Sequence, residues 1–163
     1  MQLIHLFDAT EYGGGAFAEM KVEQSSLLNS IRTKLSDSNL ALELSRSTWK
    51  SFQFNKDGKQ ILVKTESGLV IVVDGYEGTI TNVFFSEGAD GVPRREPAGA
   101  CFASDGNTVL IGNGDGTICC WDSVNGAMVK KLKGHVGPVG NIVHNPKKAQ
   151  IASSCTNMAL WNC

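Results

Sequence analysis

One strand ending recurs along this chain, and the recurrence leaves few folds open. Leu3-Ile4-His5-Leu6-Phe7-Asp8, Leu69-Val70-Ile71-Val72-Val73-Asp74, Thr117-Ile118-Cys119-Cys120-Trp121-Asp122 and Met158-Ala159-Leu160-Trp161-Asn162 all run through β-prone residues to an Asp or Asn. A second marker keeps step with the first. Asn55-Lys56-Asp57-Gly58 matches Ala103-Ser104-Asp105-Gly106, and Asn145-Pro146-Lys147-Lys148 holds the corresponding turn farther on. Asp57 to Asp105 is 48 residues and Asp74 to Asp122 is again 48, whereas Trp121 to Trp161 is 40. Two independent markers moving by one period define repeat architecture built from short strands.

Taken in order, residues 1–22 read as two strands around the Gly13-Gly14-Gly15 turn, the end of one unit. Residues 23–48 break the β alternation and form an insertion. Leu27, Leu28, Ile31 and Leu35 recur there at helical spacing, so the segment is either a short amphipathic helix or a loop. Residues 49–86 and 99–132 each read as a four-stranded unit, and 134–163 as a final unit of three strands without an outer fourth. Three such units with part of another cannot close a ring, because about four is the lower limit for a closed propeller. The expectation is therefore the C-terminal half of a longer protein.

Composition excludes several classes. The formal charge of −1 gives no global electrostatic case for nucleic acid or membrane. No stretch approaches membrane-spanning length, and no charged-then-apolar leader follows Met1. Cys101, Cys119, Cys120, Cys155 and Cys163 show no paired or zinc-type spacing, which points to free thiols in a reducing compartment and to no metal. Charge is uneven locally: residues 123–163 carry Lys130, Lys131, Lys133, Lys147 and Lys148 with no Asp or Glu. Lys130, Lys131 and Lys133 are a candidate basic patch for acidic or phosphorylated tails, against the plainer reading of a solvated strand. Arg94 and Arg95 add basic charge without an aromatic platform, so no direct nucleic-acid binding is expected.

Trp121-Asp122 followed by Gly134-His135 is similar to the punctuation of WD repeats, the blades of a β-propeller. The order and wording resemble one WD-repeat family in particular, the propeller subunit of COMPASS-type histone H3 lysine methyltransferase complexes. That subunit also occurs with a phosphatase 1 complex and with RNA 3′-end-processing machinery. The likeness is carried by Gln2-Leu3-Ile4-His5-Leu6-Phe7-Asp8-Ala9, by Gly15-Ala16-Phe17-Ala18, and by Phe54-Asn55-Lys56-Asp57-Gly58-Lys59-Gln60-Ile61-Leu62. Asn145-Pro146 and Ala152-Ser153-Ser154-Cys155-Thr156-Asn157-Met158-Ala159-Leu160-Trp161 are its most distinctive part. It covers roughly residues 2–22 and 49–162, and 23–48 has no counterpart in the family pattern.

The resemblance implies an all-β fold, a partial WD-repeat propeller of about three blades plus the last strands of a fourth. It implies a nuclear, non-catalytic scaffold that needs no cofactor and binds protein subunits of a chromatin or transcription complex. The alternatives are a truncated, non-functional propeller fragment and a small β-rich enzyme. WD repeats also carry a buried relay of His, Ser or Thr, Asp and Trp. In the last blade His135, Ser153 or Ser154, and Trp161 fit three of its roles, with Thr156 or Asn157 in place of the acid. In the middle blade Asp115 and Trp121 fit, without a histidine before Gly99. These are structural roles, since a satisfied polar network rigidifies a blade.

Other motifs reduce to turns. Gly112-Asn113-Gly114-Asp115-Gly116 lacks the Gly-Lys-Ser/Thr ending of a phosphate loop and joins strand to strand. Asp105-Gly106-Asn107 lacks the closing acid of a calcium loop. His5 and His144 sit in strands and read as packed or surface residues.

Overall fold

A computed structural model of the chain describes residues 2–162, the Tyr12 side chain excepted. Cys163 lies outside the described residues. Strands β1 (Gln2–Phe7) and β2 (Ala16–Val22) form a hairpin, and helices α1 (Gln24–Arg32) and α2 (Ser38–Ser45) follow. Next come β3 (Trp49–Phe54), β4 (Gln60–Thr65), β5 (Leu69–Asp74) and β6 (Ile80–Phe85), paired in that order in one antiparallel sheet. A second four-stranded sheet holds β7 (Ala100–Phe102), β8 (Thr108–Gly112), β9 (Thr117–Asp122) and β10 (Met128–Lys133). The last sheet has three strands, β11 (Asn141–His144), β12 (Gln150–Ser154) and β13 (Met158–Asn162). These sheets are the first, middle and last blades, and the all-β partial propeller expected from the repeat is the fold.

The repeated letters have a local cause. Asp74 Oδ1 accepts from the Tyr76 and Glu77 N–H groups, and Asp122 Oδ1 accepts from Val124 and Asn125 in the same way. The Asp105 carboxylate closes the β7–β8 turn on Asn107 and Thr108, and Asn145 closes the β11–β12 turn on Lys147 and Lys148. A short side-chain acceptor that reaches its own turn competes well with extended backbone, so each such residue ends a strand. Gly58 and Gly106 supply the positive φ (74° and 82°) that lets the matching turns close.

Packing follows from side-chain alternation. In β4 and β5, Ile61, Val63, Leu69, Ile71 and Val73 face one way, and Leu62, Val70 and Val72 face the other. The second set packs on Val109 and Ile111 of the middle blade, with Phe84, Ala100, Phe102 and Trp121. The opposite face of the middle blade, through Cys101, Leu110, Ile118 and Cys120, packs on Val139, Ile142 and Ile151 at the last blade. β5 is apolar without interruption because both faces of its sheet are covered. Glycines set the close approach between blades: a Cβ on Gly99 would meet the Asn141 backbone at 2.8 Å, and one on Gly112 would meet Val139 at 2.6 Å.

The insertion of residues 23–48 is helical, and it holds two helices where the spacing of leucines indicated one. Leu27 and Ile31 of α1, with Leu40, Ala41 and Leu44 of α2, are buried against Ile61, Val63, Ile71 and Val83. Leu35 lies beyond the end of α1 and is only partly buried. Asp37 caps α2 by accepting from the Asn39 and Leu40 N–H groups. Lys34 ties the helices to β6 through Asn82 Oδ1 at 2.6 Å and Val83 O at 2.7 Å. Met20 and Val22 of β2 complete this cover. The face of the first blade turned away from the middle blade is therefore occupied by the helical pair and the hairpin, whose β1 adds Ile4 and Leu6.

Candidate functional site

The most connected group of polar side chains lies in the last blade. His135 Nε2 is 2.7 Å from Ser153 Oγ, and Trp161 Nε1 donates to the same oxygen at 2.7 Å. Ser153 is buried on β12, while His135 stands in the connection before β11 and Trp161 on β13. Gly134 is required here, because a Cβ at that position would run into the Trp161 ring. Trp161 Nε1–H can only donate, so the Ser153 hydroxyl proton is free to point to His135 Nε2. In that arrangement Nδ1 carries the imidazole proton and donates to Cys155 Sγ, 3.2 Å away.

His135, Ser153 and Trp161 are thus brought together. Cys155 takes the position opposite Nδ1 that the sequence left to Thr156 or Asn157. Thr156 Oγ1 lies 3.7 Å from the sulfur, and the Asn157 N–H donates to it at 3.5 Å. Ser154, the other sequence candidate, pairs with Asn141 and Met158 along the ladder, whereas Ser153 makes the side-chain bonds. The Asn157 N–H first, then the Thr156 hydroxyl and His135, lower the Cys155 thiol to about 6. A signal for Cys155 was present in the chain: six residues before Trp121 stands Asp115, and six before Trp161 stands Cys155.

The same count exposes a relic of the relay in the first blade. Val73 stands where Trp121 and Trp161 do, and eight and six residues before it are Thr65 and Ser67. Ser47, as far ahead of Thr65 as His135 is of Ser153, donates to Ser67 Oγ at 2.8 Å, and Thr65 Oγ1 lies 2.9 Å from the same atom. A small hydroxyl trio stands at the sequence positions that the imidazole, hydroxyl and thiol of His135, Ser153 and Cys155 hold in the last blade.

The middle blade makes no such relay. Asp115 binds the Thr117 N–H and hydroxyl at 3.0 and 2.6 Å and Lys131 Nζ at 3.5 Å. Trp121 packs on Phe84 with ring centroids 5.7 Å apart, and its buried Nε1 has no hydrogen-bond partner. Asn113, at the position of Ser153, instead accepts from the Glu87 N–H and donates to Thr117 and Cys119. Asp115 and Trp121 stay apart because an Asn side chain spends its bonds on its own turn.

The basic residues are largely spoken for. Lys131 is held by Asp115, Arg94 by Glu96 at 2.7 Å and Arg95 by Glu43 at 3.3 Å. Lys130 and Lys133 stand exposed on β10, the outer strand of the middle blade. His5 faces Glu19 across the first hairpin at 3.7 Å, and His144 lies between the last two blades with Nδ1 3.3 Å from the Ser104 nitrogen. Among the described residues no three His, Cys, Asp or Glu side chains gather as a metal site.

No family model matches the chain. It is 30% identical over 161 residues to WD repeat-containing protein 82 of Drosophila melanogaster, across 97% of this chain and 43% of that protein. It is 31% identical over 90 residues to COMPASS component SWD2 of Saccharomyces cerevisiae, across 53% of this chain and 27% of that protein. The chain thus spans less than half the length of these relatives. Among solved structures, the WD40 repeats of RRP9 superpose with a TM-score of 0.60 at 16% identity, over 72% of this chain and 36% of that one, which speaks to fold alone. The repeat, the stacked sheets and these relatives agree on a partial WD-repeat propeller, similar to WD repeat-containing protein 82 and, over a shorter stretch, to COMPASS component SWD2.

Proposed function

We propose that the chain acts as a WD-repeat scaffold, a rigid stack of blades that holds other proteins on its loops and rims. The observation that carries this reading is the match to WD repeat-containing protein 82 along 97% of the chain. The finer reading is a subunit of a COMPASS-type histone H3 lysine methyltransferase complex in the nucleus, coupling chromatin modification to transcription. Its support is the likeness to COMPASS component SWD2 and the wording of residues 145–161. In this role His135, Ser153 and Trp161 keep the last blade rigid, and Asp115 and Trp121 order the middle blade through a turn and a ring stack.

Lys130 and Lys133 are the residues of the basic strand for an acidic or phosphorylated tail, with Lys131 engaged by Asp115. Such exposed contacts add specificity and on-rate more than affinity. The test is capture of nuclear proteins on the tagged full chain, followed by size exclusion with light scattering. Retention of methyltransferase subunits in a monodisperse complex supports the finer reading. Specific retention of other proteins leaves the scaffold and removes the methyltransferase assignment. Aggregate with no specific partner overturns both.

A further inference from the structure

The thiol group in the last blade does more than replace an acid. We propose that Cys155 is a modification site, a nucleophilic cysteine paired with His135 that reacts with hydroperoxides and other small electrophiles and thereby loosens the last blade.

The argument is geometric. Sγ sits in the β12–β13 turn, half-exposed, with three donors converging on it: His135 Nδ1 at 3.2 Å, the Asn157 N–H at 3.5 Å and the Thr156 hydroxyl at 3.7 Å. Donors that converge on one sulfur stabilise the thiolate, which is the reactive form. The imidazole is fixed from behind, since Nε2 is held by Ser153 and Ser153 by Trp161. The other described thiols differ in access. Cys101, Cys119 and Cys120 are buried, and burial pushes the Cys101 thiol up to about 11. Among the described residues the chain therefore carries one accessible thiol and three buried internal controls.

The step balances with a hydroperoxide as oxidant. The Cys155 thiolate attacks the near oxygen of hydrogen peroxide, an S–O bond forms and the O–O bond breaks. Hydroxide leaves and takes a proton from solvent, giving water and Cys155 sulfenic acid. Sulfur loses two electrons and the peroxide gains them. The sulfur that Nδ1 held now carries an oxygen, which displaces the 3.2 Å Nδ1–Sγ contact and alters the hold of His135 on the turn. Trp161 shares Ser153 with that histidine and reports the change.

The test is iodoacetamide labelling of the folded full chain across pH 5–10, with each cysteine followed by peptide mass mapping. Labelling of Cys155 with an inflection near 6, while Cys101, Cys119 and Cys120 label only after unfolding, supports the proposal. H135Q is expected to raise that inflection part of the way towards the ordinary thiol value of about 9, because Asn157 and Thr156 remain. C155D restores an acidic acceptor for His135 and serves as the folded control. Peroxide should alter tryptophan emission in the wild-type chain and leave C155D unchanged. An inflection at the ordinary thiol value in the wild-type chain overturns the proposal without any variant. So does a Cys155 labelling rate that matches that of the buried thiols, or a peroxide response retained in C155D.

Discussion

The two ends of the sheet stack are built differently. At the first blade the outward face is closed by α1, α2 and β2, and Ile31, Ala41, Ile71 and Val73 are fully buried there. At the last blade the outward face is bare: Val143, Met158 and Leu160 are 62%, 72% and 66% exposed. Register places Val143, Ala152 and Leu160 side by side across that face. A blade needs cover on both faces to complete its burial, so the first blade is finished within the chain and the last is not. The cover thins at the β3 edge, where Phe52 and Phe54 stay exposed.

This contrast can be broken at several points. The largest effect is expected from Ile31→Ala, which empties a fully buried site between helix and sheet and should cost about 2–5 kcal/mol in urea unfolding. Ser153→Ala comes next, since it leaves the Trp161 indole and His135 imidazole without their shared partner, at roughly 1–3 kcal/mol by the same measurement. If the first blade tolerates Ser67→Ala at about 1 kcal/mol, the hydroxyl trio and the imidazole relay differ in weight as they differ in size.

A pH series separates the thiols of the middle and last blades. Cys155 has a folded value near 6, below its ordinary 9, so its contribution is present above pH 9 and is lost as pH falls from 9 through 6. Cys101 runs the other way: burial raises it to about 11, so its contribution is intact below pH 9 and fades between 9 and 11. Urea midpoints of wild type, Cys155→Ser and Cys101→Ser across that range should show each slope vanish with its own thiol. The smallest effect belongs to the bare face: Leu160→Lys should change stability by no more than about 0.5 kcal/mol, because the side chain is already in water. Ile31→Lys at the covered end should be far worse.

Much of the stack was legible in the sequence because its punctuation is local. Asp74, Asp105 and Asp122 bond their own turns, so each marks a strand boundary wherever it occurs. The apolar run Leu69–Val73 likewise announces a strand covered on both faces. The helical cover was half legible. Leu27 and Ile31 carry a clear period, whereas Leu40, Leu42 and Leu44 alternate like a strand and hide α2. The relay was legible at His135, Ser153 and Trp161, which keep the residue types of the pattern. Cys155 was passed over because a thiol is not a carboxylic acid by type, and only the donors of its turn draw its pKa down. The idle Trp121 depends on where the Asn113 amide spends its bonds, and composition does not record that.

The helical cover also gives the stack a direction. Stacked sheets with two bare ends can add neighbours at both, and such head-to-tail contact has no natural stop. Here one end is shut by residues 23–48. Association through the face of Val143, Ala152 and Leu160 would bring two like surfaces together, while the helical pair keeps the first blade from offering a second such face. The insertion that interrupts the repeat thus decides which face of the sheets can take a neighbour.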